Sequence, residues 1–136
     1  MNTLVLHHMN LTSMDPTAMW EFYVTKLGLE DDPSHWTPDS GDFDDNRFFK
    51  AGDIEFHLSR VDPGLSTRFG QTINPLLTGH IAFLVEDLDA IRARLDEQEV
   101  PYADYGTDLG GRWAQLFVAD PSGRIVEFRE YVPDEA

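Results

Sequence analysis

The stretch His80-Ile-Ala-Phe-Leu-Val-Glu-Asp87 follows the same plan as an earlier one, His8-Met-Asn-Leu-Thr-Ser-Met-Asp15. In each, a histidine in a short apolar segment is followed seven residues later by an aspartate that can cap a helix. The two histidines are 72 residues apart, and the turn glycines Gly52 and Gly123 are 71 apart. This spacing predicts two strand-helix-strand-strand-strand modules, which can bring both imidazoles to one centre.

The repeat predicts the domain organisation. We expect a single domain over residues 1–136, built from a module at 4–61, a linker at 62–79 and a second module at 80–131. The linker is rich in glycine, proline and small polar residues.

The first predicted strand, residues 4–12, contains two adjacent histidines. Because side chains alternate between the faces of a strand, His8 is expected on one face and His7 on the other. A helix follows, capped by Asp15 and ended by Gly28. Its predicted buried stripe consists of Met19, Phe22, Tyr23 and Leu27.

Composition narrows the function classes. The chain has 25 acidic and 10 basic residues, a net charge of −15, which argues against binding to nucleic acid or to an anionic membrane. No apolar segment approaches the roughly 18 residues that cross a bilayer, and no basic leader precedes one, so we expect a cytoplasmic protein. Because cysteine is absent, any metal must be bound through nitrogen and oxygen.

A carboxylate, Glu127, interrupts the otherwise apolar last strand, where its charge needs a compensating cation. The corresponding strand of the first module offers His57, one residue out of step with Glu127 when both are counted from the turn glycines. Glu55 lies on the same face as His57 and is the other candidate, and water is the third. The predicted metal-binding set is therefore His8, His80, Glu127 and His57.

With these features the chain resembles the vicinal oxygen chelate superfamily, which includes glyoxalase I, extradiol dioxygenases and bleomycin-resistance proteins. The resemblance runs from Leu4 to Tyr131. It rests on the two strand-to-helix openings, on Phe22-Tyr-Val-Thr-Lys-Leu-Gly-Leu29 and on Asp120-Pro-Ser-Gly-Arg-Ile-Val-Glu-Phe128. It implies an α+β, glyoxalase-like fold in which two βαβββ modules form a cupped mixed sheet with the helices outside.

The resemblance also implies a metal-dependent reaction. A divalent ion such as Fe, Mn, Ni or Zn would be held by His8, His80 and Glu127, with His57 or Glu55 at the fourth position. The ion would act as a Lewis acid on a small molecule with adjacent oxygens. The implied enzyme is a lyase or isomerase, or is dioxygenase-like, with Glu127, Glu55 and His57 as catalytic candidates.

Substrate contacts and alternatives complete the prediction. Four polar residues are candidates for binding the substrate, against the alternative of solvated strand ends: Asn10, Arg112, Gln115 and Arg129.

The competing function is a metal-free binding protein similar to the bleomycin-resistance members, whose cationic ligand would suit the acidic surface. A third alternative is a structural partner domain without chemistry. Because the relatives commonly dimerise, we expect a homodimer.

Overall fold

The computed structural model describes residues 3–33, 46–109 and 111–133. In these ranges the strands are Val5–Ser13 (β1), Glu30–Asp31 (β2), Arg47–Ala51 (β3), Ile54–Arg60 (β4), His80–Leu84 (β5), Ala103–Gly106 (β6), Trp113–Ala119 (β7) and Ile125–Tyr131 (β8). The helices are Pro16–Trp20 (α1), Leu65–Arg68 (α2) and Leu88–Glu97 (α3), and α1 continues as a π-helical turn, Glu21–Lys26. None of the helices in the described ranges is long and apolar enough to cross a bilayer.

The eight strands form one mixed sheet in the order β2-β3-β4-β1-β5-β8-β7-β6. β1 runs parallel to β4 and β5 parallel to β8, while β1 and β5 are antiparallel neighbours. The order β2-β3-β4-β1 therefore recurs as β6-β7-β8-β5, and the two first strands meet at the centre. Asn10 pairs with His80 and His8 with Ala82, so the histidine-bearing strands of one chain lie side by side.

A β-bulge interrupts β1 between Leu6 and His8. Leu6 pairs with Phe83 and His8 pairs with the next residue along β5, Ala82, so His7 is an extra residue in β1. The prediction that His7 and His8 lie on opposite faces is therefore wrong, because their Nδ1 atoms are 2.8 Å apart.

The first helix starts as predicted and then departs from its expected periodicity. Asp15 caps it by accepting a hydrogen bond from Ala18 N at 3.0 Å. From Glu21 to Lys26 the backbone is π-helical, which widens the turn and rotates the side chains around the axis. The predicted buried stripe is consequently wrong in part, since Phe22 is 47% and Leu27 58% exposed.

The first helix and α3 pack on one face of the sheet, and the opposite face carries the predicted site. Tyr23 stacks on Phe49 with ring centroids 4.9 Å apart, whereas the adjacent Phe48 contacts His57 on the other face. Helix α3 packs on the same face as Tyr23 through a buried cluster: Val85, Leu88 and Leu116. The expected α+β class, a cupped mixed sheet with helices outside, is confirmed.

The predicted linker, residues 62–79, also supports the sheet. Phe69 and Ile73 pack against a buried cluster on β6 and β7, and Tyr105 donates a hydrogen bond from Oη to the Ile73 carbonyl at 2.8 Å. The Leu77 carbonyl accepts one from the hydroxyl of Thr12 at 3.0 Å. The division of residues 1–136 into modules at 4–61 and 80–131 stays a prediction.

Gly79 provides a test of how tightly the linker packs on β1. Its φ is +85°, and a Cβ at this position would collide with the carbonyl of Asn10. We predict that Gly79→Ala lowers the free energy of unfolding by several kcal/mol. Gly52 has a φ of +61° and open space around it, so Gly52→Ala causes no collision. It should lower the free energy of unfolding by only about 1–2 kcal/mol, the cost of a left-handed backbone conformation for a residue with a Cβ. Urea denaturation of both variants measures the difference, and equal losses would contradict this account of the contact.

Candidate metal centre

Three of the predicted ligands lie together on the cup face. One potential ligand atom from each of His8, His80 and Glu127 lies within 4.8 Å of the other two. His80 Nε2 is 3.0 Å and His8 Nε2 is 3.8 Å from Glu127 Oε1. His8 and Glu127 are each 1% exposed. The strand pairing explains the cluster, because β1, β5 and β8 are consecutive neighbours in the sheet.

His80 is oriented as a metal ligand would be. Its Nδ1 lies 3.0 Å from the Pro75 carbonyl, which can only accept, so Nδ1 carries the proton. In neutral His80 the lone pair of Nε2 then faces Glu127 Oε1 at 3.0 Å. Two acceptor atoms at this distance require a shared cation between them, either a proton or a metal ion.

His8 has a different environment. Burial lowers the pKa of His8 far below its usual range, and the neighbouring charges of His57 and Arg129 lower it further, so the ring is neutral. Arg129 Nη1, which can only donate, lies 3.2 Å from His8 Nδ1. In this arrangement His8 Nδ1 accepts. Metal binding through Nε2 needs the other tautomer, in which Nδ1 donates to His7 Nδ1.

Glu127 is held as an anion in a buried position. Burial by itself raises the pKa of Glu127, but the hydrogen bond to His80, the charges of His80 and Arg129 and the bond from Gln115 outweigh it, and the pKa is lowered overall. Gln115 Nε2 donates to Glu127 Oε2 at 3.4 Å, and Arg129 Nε lies at the same distance from that oxygen. The carboxylate is therefore surrounded by donors.

The strand register resolves which residue of β4 corresponds to Glu127. Glu127 pairs with Ala82, two residues after His80, and His57 pairs with Asn10, two residues after His8. His57 therefore occupies the position equivalent to Glu127, and the one-residue offset counted from the turn glycines disappears. Nevertheless, among the residues that the structure describes, the compact group of potential ligands consists of His8, His80 and Glu127 and does not include His57.

His57 instead stacks on His8 and contacts Glu55. The rings of His57 and His8 are 3.7 Å apart and nearly parallel. Burial lowers the pKa of His57 to about 4, although the contact with Glu55 opposes the change. Glu55 Oε1 is 3.4 Å from His57 Nε2, and its Oε2 is 3.2 Å from His7 Nε2. The assignment of His57 or Glu55 to a fourth ligand position stays a prediction.

The four candidates for substrate binding fall into two groups. Asn10, Gln115 and Arg129 are buried at or beside the cluster, with exposed fractions of 6%, 8% and 6%. Arg112 is exposed, directly before β7, and donates a hydrogen bond to the hydroxyl of Tyr131 at 3.3 Å. The structure thus brings three of them to the centre, and their role stays a prediction.

Sequence reasoning missed two neighbours of the centre. His7 was expected on the other face, and no signal in the sequence indicates the bulge that turns it toward Glu55. Trp113 is not among the predicted site residues, but the Arg129 guanidinium carbon lies 4.0 Å from the centroid of its ring, a cation–π contact. The pairing of Gln115 with Arg129 and of Trp113 with Tyr131 brings these side chains into one row.

The comparisons with known proteins agree with this fold. A family model described as the Glyoxalase/Bleomycin resistance protein/Dioxygenase superfamily matches residues 5–128. None of the curated proteins matches the sequence.

Similar solved structures include methylmalonyl-CoA epimerase from Mycobacterium tuberculosis, with 19% identity, a TM-score of 0.66 and coverage of 95% of this chain and 89% of that one. Methylmalonyl-CoA epimerase from Streptomyces coelicolor has 19% identity and a TM-score of 0.66, covering 98% of this chain and 99% of that one. A member of the same superfamily from Vibrio splendidus 12B01 has 17% identity and a TM-score of 0.63, covering 94% and 99%. At these identities the likeness shows the fold.

The buried histidines predict a stability loss in mild acid. Because the folded pKa of His57 is about 4 against a reference of 6.5, the unfolded chain binds more protons between these values, and folding stability falls as the pH drops through this window. In metal-free protein, His57→Gln should remove up to about 3 kcal/mol of the loss between pH 6.5 and 4. Urea unfolding at a series of pH values measures it. Parallel curves for wild type and variant would contradict the assignment.

Proposed function

The chain belongs to the glyoxalase/bleomycin resistance protein/dioxygenase superfamily, and we propose that it is a metal-dependent enzyme acting on a small molecule with two neighbouring oxygen atoms. The observation that carries the proposal is the buried group of His8, His80 and Glu127. Its most specific detail is the 3.0 Å approach of His80 Nε2 to Glu127 Oε1, with the opposite ring nitrogen held by a backbone carbonyl.

The donor set fits a divalent transition metal. Two imidazoles and one carboxylate suit Fe, Mn, Ni or Zn, and availability decides among ions that such a site accepts. His8, His80 and Glu127 would hold the ion, leaving coordination positions for a substrate. When bound, the ion supplies Lewis-acid stabilisation of negative charge on substrate oxygen.

The reaction class follows from the residues beside the ligands. Glu55 and His57 form a partly buried pair 3.4 Å apart, and His57 occupies the position equivalent to Glu127. We assign to this pair the acceptance of a proton from the substrate, with Glu127 holding the metal, and so favour a lyase or isomerase over a dioxygenase-like enzyme. The similar structures that are methylmalonyl-CoA epimerases share the fold at 19% identity, and the choice of reaction class rests on the Glu55 and His57 pair.

The alternative, a metal-free binding protein like the bleomycin-resistance members, has less support. Its observation is the net charge of −15, which would suit a cationic ligand. That charge is a property of the whole chain, whereas the carboxylate at the centre is already opposed by Arg129. We therefore retain the enzyme as the proposal. The cytoplasm is its proposed location.

A homodimer is part of the proposal. Large apolar side chains are exposed at the start of β1 and around the end of β8: Leu4, Val5, Leu6, Tyr131 and Val132. Val5 pairs with Leu84 and Leu84 with Arg129, so these strand ends are neighbours in the sheet. Exposed apolar clusters of this kind are typical of protein interfaces.

The metal-binding prediction is tested by calorimetry and elemental analysis. Wild-type protein stripped with a chelator and titrated with Zn²⁺ or Mn²⁺ should bind one ion per chain. His8→Ala and Glu127→Gln should each weaken binding by at least roughly tenfold, because each removes a ligand. Glu97→Gln, which alters an exposed carboxylate on α3, is the matched control and should bind as wild type does. If the wild type binds no divalent ion tightly, the enzyme proposal fails.

The dimer prediction is tested by sedimentation equilibrium. Wild type should sediment at twice the 15.5 kDa chain mass at micromolar concentration. Val5→Glu should shift the population to monomer, because it places a charge in the exposed apolar cluster. Met14→Glu, at a position 73% exposed and outside the cluster, should remain dimeric. A monomeric wild type would overturn the expectation.

A further inference from the structure

We infer that Arg129 makes the centre select a substrate with one negative charge, of the small 2-hydroxycarboxylate class. This inference rests on the proposed metal-binding function and goes beyond it by naming the chemistry of the substrate. The observations that carry it are the position of the guanidinium, the charge balance of the centre and the buried polar atoms that lack partners.

The guanidinium of Arg129 is built into the centre. The residue is 6% exposed, its Nη1 lies 3.2 Å from His8 Nδ1, and its Nε lies 3.4 Å from Glu127 Oε2. The face of Trp113 supports it at 4.0 Å. Because arginine stays protonated even when buried, a permanent positive charge lies against two of the three predicted ligands.

The charge balance of the centre requires an anion once a metal is bound. Ligating imidazoles are neutral, Glu127 and Glu55 contribute two negative charges, and Arg129 contributes one positive charge. A divalent ion therefore leaves the centre with a net charge of +1. Buried charge is costly unless it is compensated, and one singly charged anionic ligand compensates it.

Metal binding also frees donors on Arg129. When His8 binds through Nε2, its Nδ1 carries the proton and donates toward His7, 2.8 Å away. His8 Nδ1 then no longer accepts from Arg129 Nη1. The guanidinium is left with N–H groups for a new acceptor, and its planar fork matches a carboxylate.

Partnerless polar atoms indicate a hydroxyl beside that carboxylate. Within the part of the chain that the structure describes, Arg129 Nε, Asn10 Oδ1 and Gln115 Oε1 are buried without a hydrogen-bond partner. Arg129 Nε already faces Glu127 Oε2 at 3.4 Å, whereas the amide oxygen of Gln115, whose Nε2 contacts the same carboxylate, is an acceptor and suits a hydroxyl proton. A 2-hydroxycarboxylate carries both groups on adjacent carbons and presents two neighbouring oxygens to a metal.

A purely structural role for Arg129 makes a different prediction. If Arg129 only neutralises buried Glu127, its loss lowers stability and leaves the ligand preference unchanged. The ligand preference of an Arg129 variant therefore distinguishes the two roles, whereas its stability does not.

The test compares glycolate with its neutral isostere glycolamide. Both are titrated calorimetrically into Co²⁺-loaded protein, and the ratio of their dissociation constants is compared with that for Co²⁺ in buffer. Wild type should exceed the buffer ratio by at least tenfold in favour of glycolate. Arg129→Gln should lose this excess, and Arg129→Lys should keep most of it. A wild-type ratio equal to that in buffer, or an unchanged ratio in Arg129→Gln, would overturn the inference.

The amount of metal bound distinguishes failure of the proposed function from failure of the inference about Arg129. Each preparation is analysed for bound Co²⁺ before the titration. A wild type that binds no metal removes the proposed function and this inference together. A wild type that binds one ion but shows no glycolate preference removes this inference alone. If Arg129→Gln does not fold, the wild-type ratio and Arg129→Lys decide the outcome.

Discussion

The buried carboxylate of Glu127 is the constraint on which the centre depends. An anion that is 1% exposed must be surrounded by donors or cations, and Glu127 has His80, Gln115 and Arg129 around it. These groups come from three strands, β5, β7 and β8, and the Pro75 carbonyl orients the His80 ring. Each of them helps to compensate the charge of Glu127 inside the sheet.

The antiparallel contact between β1 and β5 creates the geometry. It brings the first strands of the two halves together, so His8 and His80 approach from opposite directions with their rings 5.6 Å apart. The parallel neighbours β4 and β8 then bring His57 and Glu127 to equivalent positions. The resulting four-strand centre is symmetric in backbone but asymmetric in chemistry, with a carboxylate on one side and an imidazole paired with Glu55 on the other.

Much of this arrangement is predictable from the sequence, because strands and helix caps depend on local patterns. The repeated spacing from His8 to Asp15 and from His80 to Asp87 indicated the fold and two residues of the cluster. The apolar surroundings of Glu127 indicated the third. The bulge at His7 and the π-helical turn after Trp20 were not predictable. Each changes the direction of the side chains that follow it, but neither leaves a mark in the pattern of apolar and polar residues along the sequence. The burial of Arg129 likewise depends on Trp113 in the neighbouring strand.

The most direct test of the central claim is an anomalous-scattering crystal structure of the Zn²⁺-loaded protein. The account predicts one strong anomalous peak per chain within bonding distance of His8 Nε2, His80 Nε2 and a carboxylate oxygen of Glu127, with the His80 Nδ1 contact to the Pro75 carbonyl retained. A peak located instead among His7, Glu55 and His57, or no peak at the cluster at saturating Zn²⁺, would contradict it.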